Sequence, residues 1–569
     1  MWRSLRLGQI VRSTILISFV GLSFGIIMAI VSNAFIQGVR AIAGWRGSSD
    51  LFLISIAGFS IPLLPLISLM IAACLIIVVR RQFGIKRFHG PADAIYAAHR
   101  SDNELDVKSG FGSTFAAFLS ASGGASVGQY GPLVHFGATL GSVVRQHTNV
   151  RLTTDVFIGC GVAGAIAAGF NAPIAAIVFA HEVILRHFSL RAAAPIAIAS
   201  ISASGFSSWA FGGDRLFQIE AVPVPLLLLL PAALLCGPFF GLLASLYMYA
   251  VRSTQRFTAK SKLTMVQQIS IAVLGMGIIG TMMPVLFGFG ITEILRMLSG
   301  EFSVSMLIAM LIGKILLTAL CLGFGLFGGV FSPALFVGAA GGSIAHRLFL
   351  LCGLSIPAPA LVTCGMAAVG SAVIGAPISG VLIMLELTMS YEYALGAMLS
   401  VVLSALVAYQ LFGMSFFDKQ LHDRGIDIAQ GRGHLQVMET YIKPLVSNDY
   451  LRLDKDVTVG AAIGKLASEG TSEAYILGAN DKFLGKVSLH ELLLAPETAR
   501  IADHLMASPL SIKADASLLQ SIELASDFVG EHIPVIDSDT NILIGILTEA
   551  DLFQAYLDLQ TRIVDLERR

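Results

Sequence analysis

The chain has 569 residues, 55% of them hydrophobic and only 13% charged, with 37 basic against 37 acidic side chains and a mean hydropathy of +0.79. Soluble domains carry about 25% charged residues, so an ordinary soluble globule is excluded, and zero net charge excludes a global field suited to nucleic acid or an acidic partner. Residues 51–79, 221–251, 315–345 and 348–385 each run without an Asp, Glu, Lys or Arg. A bilayer is spanned by about 20 apolar residues, so these runs predict a polytopic, all-α membrane protein. The six cysteines (Cys74, Cys160, Cys236, Cys321, Cys352, Cys364) lie in apolar segments at no metal-like spacing and read as packing residues.

Residues 13–36 and 51–79 read as two long membrane segments. The first is too long for a cleaved signal sequence, and Arg3, Arg6 and Arg12 before it predict a cytoplasmic amino terminus. A basic connector with Arg80, Arg81, Lys86 and Arg87 follows; it marks a cytoplasmic loop and would concentrate anions near a pore mouth. From 110 to 185 the sequence is rich in Gly, Ala and Ser with broken apolar runs, a pattern of half-helices around a site at mid-membrane. Within it, Gly128-Gln-Tyr-Gly-Pro132 predicts a helix that starts at Pro132 and aims unpaired N–H groups and a positive dipole end at an anion. After 221–251 comes a second basic connector (Arg252, Arg256, Lys260, Lys262), and membrane-like sequence resumes over 264–417.

The second half repeats the first. Gly128-Gln-Tyr-Gly-Pro132 matches Gly329-Val-Phe-Ser-Pro333, each proline being followed five residues on by Gly-Ala. Asn171-Ala-Pro173 leads to Glu182, and Ala376-Pro377 leads to Glu386, at the same spacing. Two pairs in one order indicate a duplication, which in membranes means inverted repeats enclosing a site. Past residue 430 charges become frequent. Gly431-Arg-Gly-His434 reads as a linker, and 437–569 as a soluble α+β domain of two modules, 437–497 and 498–569. In these, Leu466-Ala-Ser recurs at Leu524-Ala-Ser, and Gly485-Lys-Val-Ser-Leu-His-Glu-Leu recurs as Gly545-Ile-Leu-Thr-Glu-Ala-Asp-Leu. Each module reads as helix, strand, turn, strand and helix.

At these residues the chain resembles the CLC family of chloride channels and chloride/proton antiporters over 1–430, followed by a tandem CBS pair. The carriers are Gly128-Gln-Tyr-Gly-Pro132, Phe170-Asn-Ala-Pro173, Lys314 with the run into Gly329-Val-Phe-Ser-Pro333, and Ala376-Pro-Ile-Ser. The resemblance implies a homodimer in a cell membrane, with an anion pathway in each subunit and both termini cytoplasmic. It implies chloride held by backbone N–H groups where helix amino termini converge. The candidate pathway residues are Gly128, Tyr130, Gly131, Pro132, Leu133, Gly329, Val330 and Phe331. Partial charges suit this task, because binding must be weak enough for the ion to leave.

The chain departs from the family at four places. Tyr130 stands where the family usually has a glutamate that competes with chloride and picks up the proton. A phenol with a reference pKa of about 10 stays protonated at physiological pH; it can donate its O–H to an anion or plug the path with its ring. The family's inner proton glutamate aligns with Val183 in Ala180-His-Glu-Val183, leaving His181 as a packing or hydrogen-bonding residue, with His181 or water as the alternative proton route, and Glu182 in a structural role beside its counterpart Glu386. Phe417 replaces a tyrosine whose hydroxyl touches the central chloride, and Phe88, before His89-Gly90-Pro91, falls nearest a serine ligand.

Together these imply passive, uncoupled movement of chloride or a related anion. A proton-coupled antiporter with an unconventional route and a non-conducting nucleotide sensor are the alternatives. CBS pairs often bind adenine nucleotides, for which Thr548 and Asp551 fit the pattern and Ser488 and Glu491 fit it less well; a dimerisation platform without ligand is the other reading. There is no P-loop and no recognisable catalytic arrangement, so no enzyme, resident cofactor or metal is expected.

Overall fold

In a computed structural model, the chain is described over residues 2–568, apart from 49–52, 57–58, 101–102, 149–151, 213–216, 218, 220, 429–430, 479–480, 507–508, 527 and 529. It divides into two units, Met1–Ile426 and Asp427–Arg569.

The first unit opens with α1 (Trp2–Ser48). The apolar run from 51 does not form one long helix. Its start is an antiparallel hairpin of β1 (Leu53–Ile56) and β2 (Phe59–Pro62), and only then comes α2 (Leu64–Gln82). The β-branched isoleucines alternate with small residues there, and Pro62 and Pro65 keep a helix from starting earlier. Arg80 is no surface marker. It is buried, donates to the carbonyls of Ile85, Lys86 and Gly325, and lies over the Phe327 ring.

Short helices follow: α3 (Pro91–His99), α4 (Val107–Gly123), α5 (Tyr130–Gln146), α6 (Thr154–Phe170) and α7 (Pro173–Phe179), which runs into a π turn over Ala180–Leu185. Then come α8 (Leu190–Phe211), α9 (Leu226–Lys260), α10 (Met265–Met282), α11 (Ile291–Leu298) and α12 (Val304–Gly323). The unit ends with α13 (Phe331–Leu351), α14 (Ala358–Ile374), α15 (Pro377–Thr388), α16 (Tyr391–Phe412) and α17 (Phe416–His422). Among the described residues, seven helices are long and apolar enough to cross a membrane.

The two halves pack alike: α5 on α6 as α13 on α14, and α8 on α1 as α16 on α9, while α7 meets α15. The breaks that shorten these helices are local. α6 ends at Asn171 and α14 at Gly375, both left-handed, at φ 54° and 74°. Ala-Pro follows each, extending the alanine and placing proline at the first position of α7 and α15.

In the second unit the expected linker 431–434 is helical, as the start of α18 (Gly431–Glu439), which packs on the second module. Val437 and Ile442 belong to that module's core, together with Ile512, Ile533 and Leu547. Module one comprises β3 (Arg452–Leu453), α19 (Val459–Glu469), β4 (Glu473–Leu477), β5 (Phe483–Ser488) and α20 (Leu489–Leu492). Module two repeats the order as β6 (Ile512–Lys513), α21 (Leu518–Ala525), β7 (Ile533–Ile536), β8 (Leu543–Leu547) and α22 (Glu549–Arg568). Each sheet adds to the expected hairpin a leading strand, β3 or β6, parallel to the next. Two residues are too short a run for alternation to announce.

Candidate functional site

The two Gly/Pro motifs meet. Gly128 N–H donates to the Gly329 carbonyl and Gly329 N–H to the Gly128 carbonyl, both at 2.7 Å, as an isolated antiparallel bridge between the halves. A Cβ on Gly128 would lie 2.8 Å from the Gly329 oxygen, and one on Gly329 would lie 2.9 Å from the Gly131 nitrogen. Glycine is therefore required at both positions. The N–H groups of Gly128 and Gly329 are thus each bound to the other's carbonyl.

α5 and α13 leave this bridge. α5 begins at Tyr130, two residues before the expected start, so Pro132 occupies its third position, as Pro333 does in α13. Neither helix has a side-chain cap. Prolines lack an N–H, and Leu133 N–H reaches back to the Gln129 carbonyl. The donors that these two first turns can offer an anion are therefore the N–H groups of Tyr130 and Gly131 on one side and Phe331 and Ser332 on the other. Val330, just before α13, gives its carbonyl to the Tyr247 hydroxyl at 2.9 Å, and its N–H stays among the candidate donors.

Tyr130 is 2% exposed. Its ring stacks 3.8 Å from Phe170, and both rings meet Phe331 edge-on, at 6.0 and 5.7 Å. The hydroxyl donates to the Gly169 carbonyl at 3.3 Å, and a Cβ on Gly169 would lie 2.7 Å from the tyrosine ring. The O–H is thus taken by a carbonyl and the ring by an aromatic stack.

Phe88 is half-buried against Phe327 at 5.5 Å. Phe417 is buried on α17, which packs on α3 and α14. Lys314, with no exposed surface, donates to the carbonyls of Gly288 (2.6 Å) and Leu286 (3.4 Å) and sits 4.9 Å from the Phe336 ring. It secures a turn against α13.

The paired glutamates are exchanged between the halves. Glu182 accepts the N–H groups of Ile378 (2.9 Å) and Ser379 (2.8 Å) at the start of α15, and the Ser379 hydroxyl. Glu386 accepts those of Ile174 (3.0 Å) and Ala175 (2.8 Å) at the start of α7. A carboxylate at a helix amino terminus satisfies orphan donors and the dipole together. His181, buried in the π turn, stacks 4.5 Å from Phe188. Its Nδ1 lies 2.9 Å from the His187 carbonyl; a carbonyl only accepts, so Nδ1 carries the proton. Arg186, left-handed after that turn, pairs with Asp418 and ties α17 to it.

Two further residues emerge only in three dimensions: Ser332 of the second motif, whose hydroxyl is buried beside Phe331, and His135, three residues past the proline of the first and one turn beyond Gly131. The prolines announced their motifs; neither residue type signalled itself.

In the second unit Asp551 accepts the Thr548 N–H (3.0 Å) and hydroxyl (2.6 Å), and Asp551 N–H returns to that hydroxyl at 3.1 Å, a local cap at the start of α22. Ser488 caps α20 by accepting Glu491 N–H. Within module one Lys486 and Glu473 form a buried ion pair at 2.6 Å, and Lys486 lies 5.1 Å from the Phe528 ring of module two. Burial and the adjoining Glu473 push the Tyr475 phenol well above its ordinary range.

Residues 72–409 match the family model described as voltage gated chloride channel, and 501–558 match the CBS domain model. The chain is 30% identical over 319 residues to the H(+)/Cl(-) exchange transporter ClcA of Vibrio parahaemolyticus serotype O3:K6, covering 54% of this chain and 68% of that one. Its fold is similar to that of a slow cyanobacterial Cl-/H+ antiporter, with a TM-score of 0.64 and 21% identity over 72% of this chain and 97% of the other. It is also similar to that of a eukaryotic CLC transporter, with a TM-score of 0.60 and 17% identity over 96% and 98%.

Proposed function

The chain belongs to the CLC family of multi-pass anion-transporting membrane proteins, and from that premise we propose that it moves chloride or a related anion passively, without proton coupling. The observation that carries this reading is the seat of Tyr130. A carboxylate there would be able to compete with the anion and take up a proton; a stacked phenol bound to the Gly169 carbonyl does neither. The sequence supports it further, since 107–154 contains no Asp or Glu. The carboxylates of Glu182 and Glu386 are held by backbone donors of the opposite half.

Proton-coupled exchange is the second reading, favoured by the printed names of the relatives. His181 is its candidate carrier, because its Nε2 is buried with no partner among the described residues. Under either reading the protein is a homodimer in a cell membrane with both termini cytoplasmic. The CBS pair, if it takes an adenine nucleotide, does so through Thr548 and Asp551, whose mutual cap the nucleotide would open.

The test uses purified protein in liposomes loaded with chloride, with chloride efflux and external pH recorded together and valinomycin with potassium carrying the counter-current. Chloride efflux without proton movement is expected, and Tyr130→Ala should raise the efflux several-fold. Uphill proton movement driven by chloride would establish the second reading and move attention to His181. No anion flux of any kind would leave the nucleotide-sensor alternative standing.

A further inference from the structure

We propose that His135 donates a ring N–H to an anion held between α5 and the start of α3, a second station on the pathway. The inference rests on the anion-pathway reading and adds to it a side-chain ligand.

His135 is 1% exposed, and among the described residues neither of its ring nitrogens has a partner. Buried polar atoms are nearly always satisfied, and a neutral imidazole carries one donor and one acceptor. The ring therefore calls for a ligand at this place. Its direction is set by α5. Residues four apart share a helix face, so His135 lies on the face of Gly131, where a Cβ would meet the Gly329 Cα at 3.0 Å and the Pro91 ring at 3.5 Å. That face looks onto the beginning of α3. The His135 ring stacks on His89, at 6.0 Å and 28°, and His89 stands two residues before Pro91.

The surroundings favour an anion over a second carbonyl or a cation. α3 is a nine-residue helix whose positive dipole end lies here; Pro91 has no N–H and the Gly90 and Asp93 N–H groups are bound within the turn, which leaves the Ala92 N–H as its donor among the described residues. The nearest carboxylate, Asp93, is already taken. It receives Arg87 at 2.6 and 3.0 Å, Arg424 at 2.9 Å and the Gly90 N–H at 3.0 Å, so two guanidinium groups face one carboxylate. Asp106 is bound to Ser109 through both its N–H and its hydroxyl. A neutral N–H binds an anion without the grip of a full charge, as passage requires. The station would also supply a donor near Phe88, a position that carries no hydroxyl and precedes the stacked His89.

The test is bromide, located by its anomalous scattering in crystals of the full-length protein, with bromide efflux from liposomes as a second readout. A bromide peak within hydrogen-bonding distance of a His135 ring nitrogen is expected. His135→Phe, which keeps the stacking partner and removes the donor, should erase that peak, leave bromide at the first turns of α5 and α13, and lower efflux several-fold. Bromide at those first turns with only water at His135 overturns the station and spares the pathway. Bromide in neither place overturns both. If His135→Phe does not fold, the wild-type peak alone decides.

Discussion

The two halves of the membrane unit share one scaffold and differ where an ion would pass. Both cross their helices through glycines: a Cβ on Gly137 would run into the Gly161 carbonyl, and one on Gly338 into the Gly365 carbonyl, each relation holding in reverse. Both lend a glutamate to the other half, and both end a short helix on a left-handed residue, Arg186 or Met389. The differences lie elsewhere. The first half places Tyr130 in an aromatic stack and breaks α7 into a π turn whose Arg186 holds α17, the carrier of Phe417. The second half has Phe331 at the position of Tyr130 and continues α15 as a regular helix of 12 residues. Symmetric features hold the fold, and the asymmetric ones fall at residues proposed for the path. π turns inside α-helices gather at functional sites, which fits this division.

The comparison breaks hardest at the glycine crossings. Gly161→Ala and Gly365→Ala should each cost about 3 kcal/mol, because backbone rather than a flexible side chain must yield. Thermal unfolding in detergent should show similar losses for the two. A large loss for one alone would mean that the crossings are not equivalent.

A smaller effect is expected at the exchanged carboxylates. Glu182→Gln and Glu386→Gln should each lower stability by about 1 kcal/mol, slightly more at Glu182, which also receives the Ser379 hydroxyl. Neither should alter the ratio of protons to anions moved. A changed ratio for Glu182→Gln alone would give that residue a role in transport and end its structural equivalence to Glu386.

The smallest effect separates two ties of the α17 region, Asp418 to Arg186 and Asp423 to Arg252. A hydrogen bond from Arg252 at 2.7–2.9 Å holds the Asp423 carboxyl below the usual carboxylate range, with Arg256 adding to it. A carboxylate lowered on folding stabilises above its unfolded pKa of about 3.9, and that stabilisation is lost as pH falls through the folded value. Unfolding temperature should therefore fall as pH is lowered below about 4, and Asp423→Asn should show a shallower fall. An equal fall in both would remove Asp423 from the acid response.

Much of the architecture was legible because membranes leave few options. Apolar length marked the spans, and Gly, Asn and Pro marked the breaks, since left-handed backbone and a missing N–H act locally. The duplication was readable as repeated motifs. The hairpin over 53–62 escaped because an apolar run has no period that separates strand from helix. The helix at 431–439 escaped because its glycines suggest a linker until Val437 finds a core in the second module.

The sequence by itself determined that a phenol stands at position 130, that no Asp or Glu occurs from 107 to 154, and that two Gly/Pro motifs recur. These are matters of composition and order, and no packing can alter them. Only the tertiary structure decided which donors remain for an anion. Gly128 and Gly329 lie 201 positions apart in the chain, and their N–H groups are consumed because the halves meet there. It likewise decided that the Tyr130 hydroxyl goes to Gly169, that each glutamate serves the opposite half, and that His135 faces α3. A hydrogen bond depends on which groups come within about 3 Å, and that distance is set by the fold.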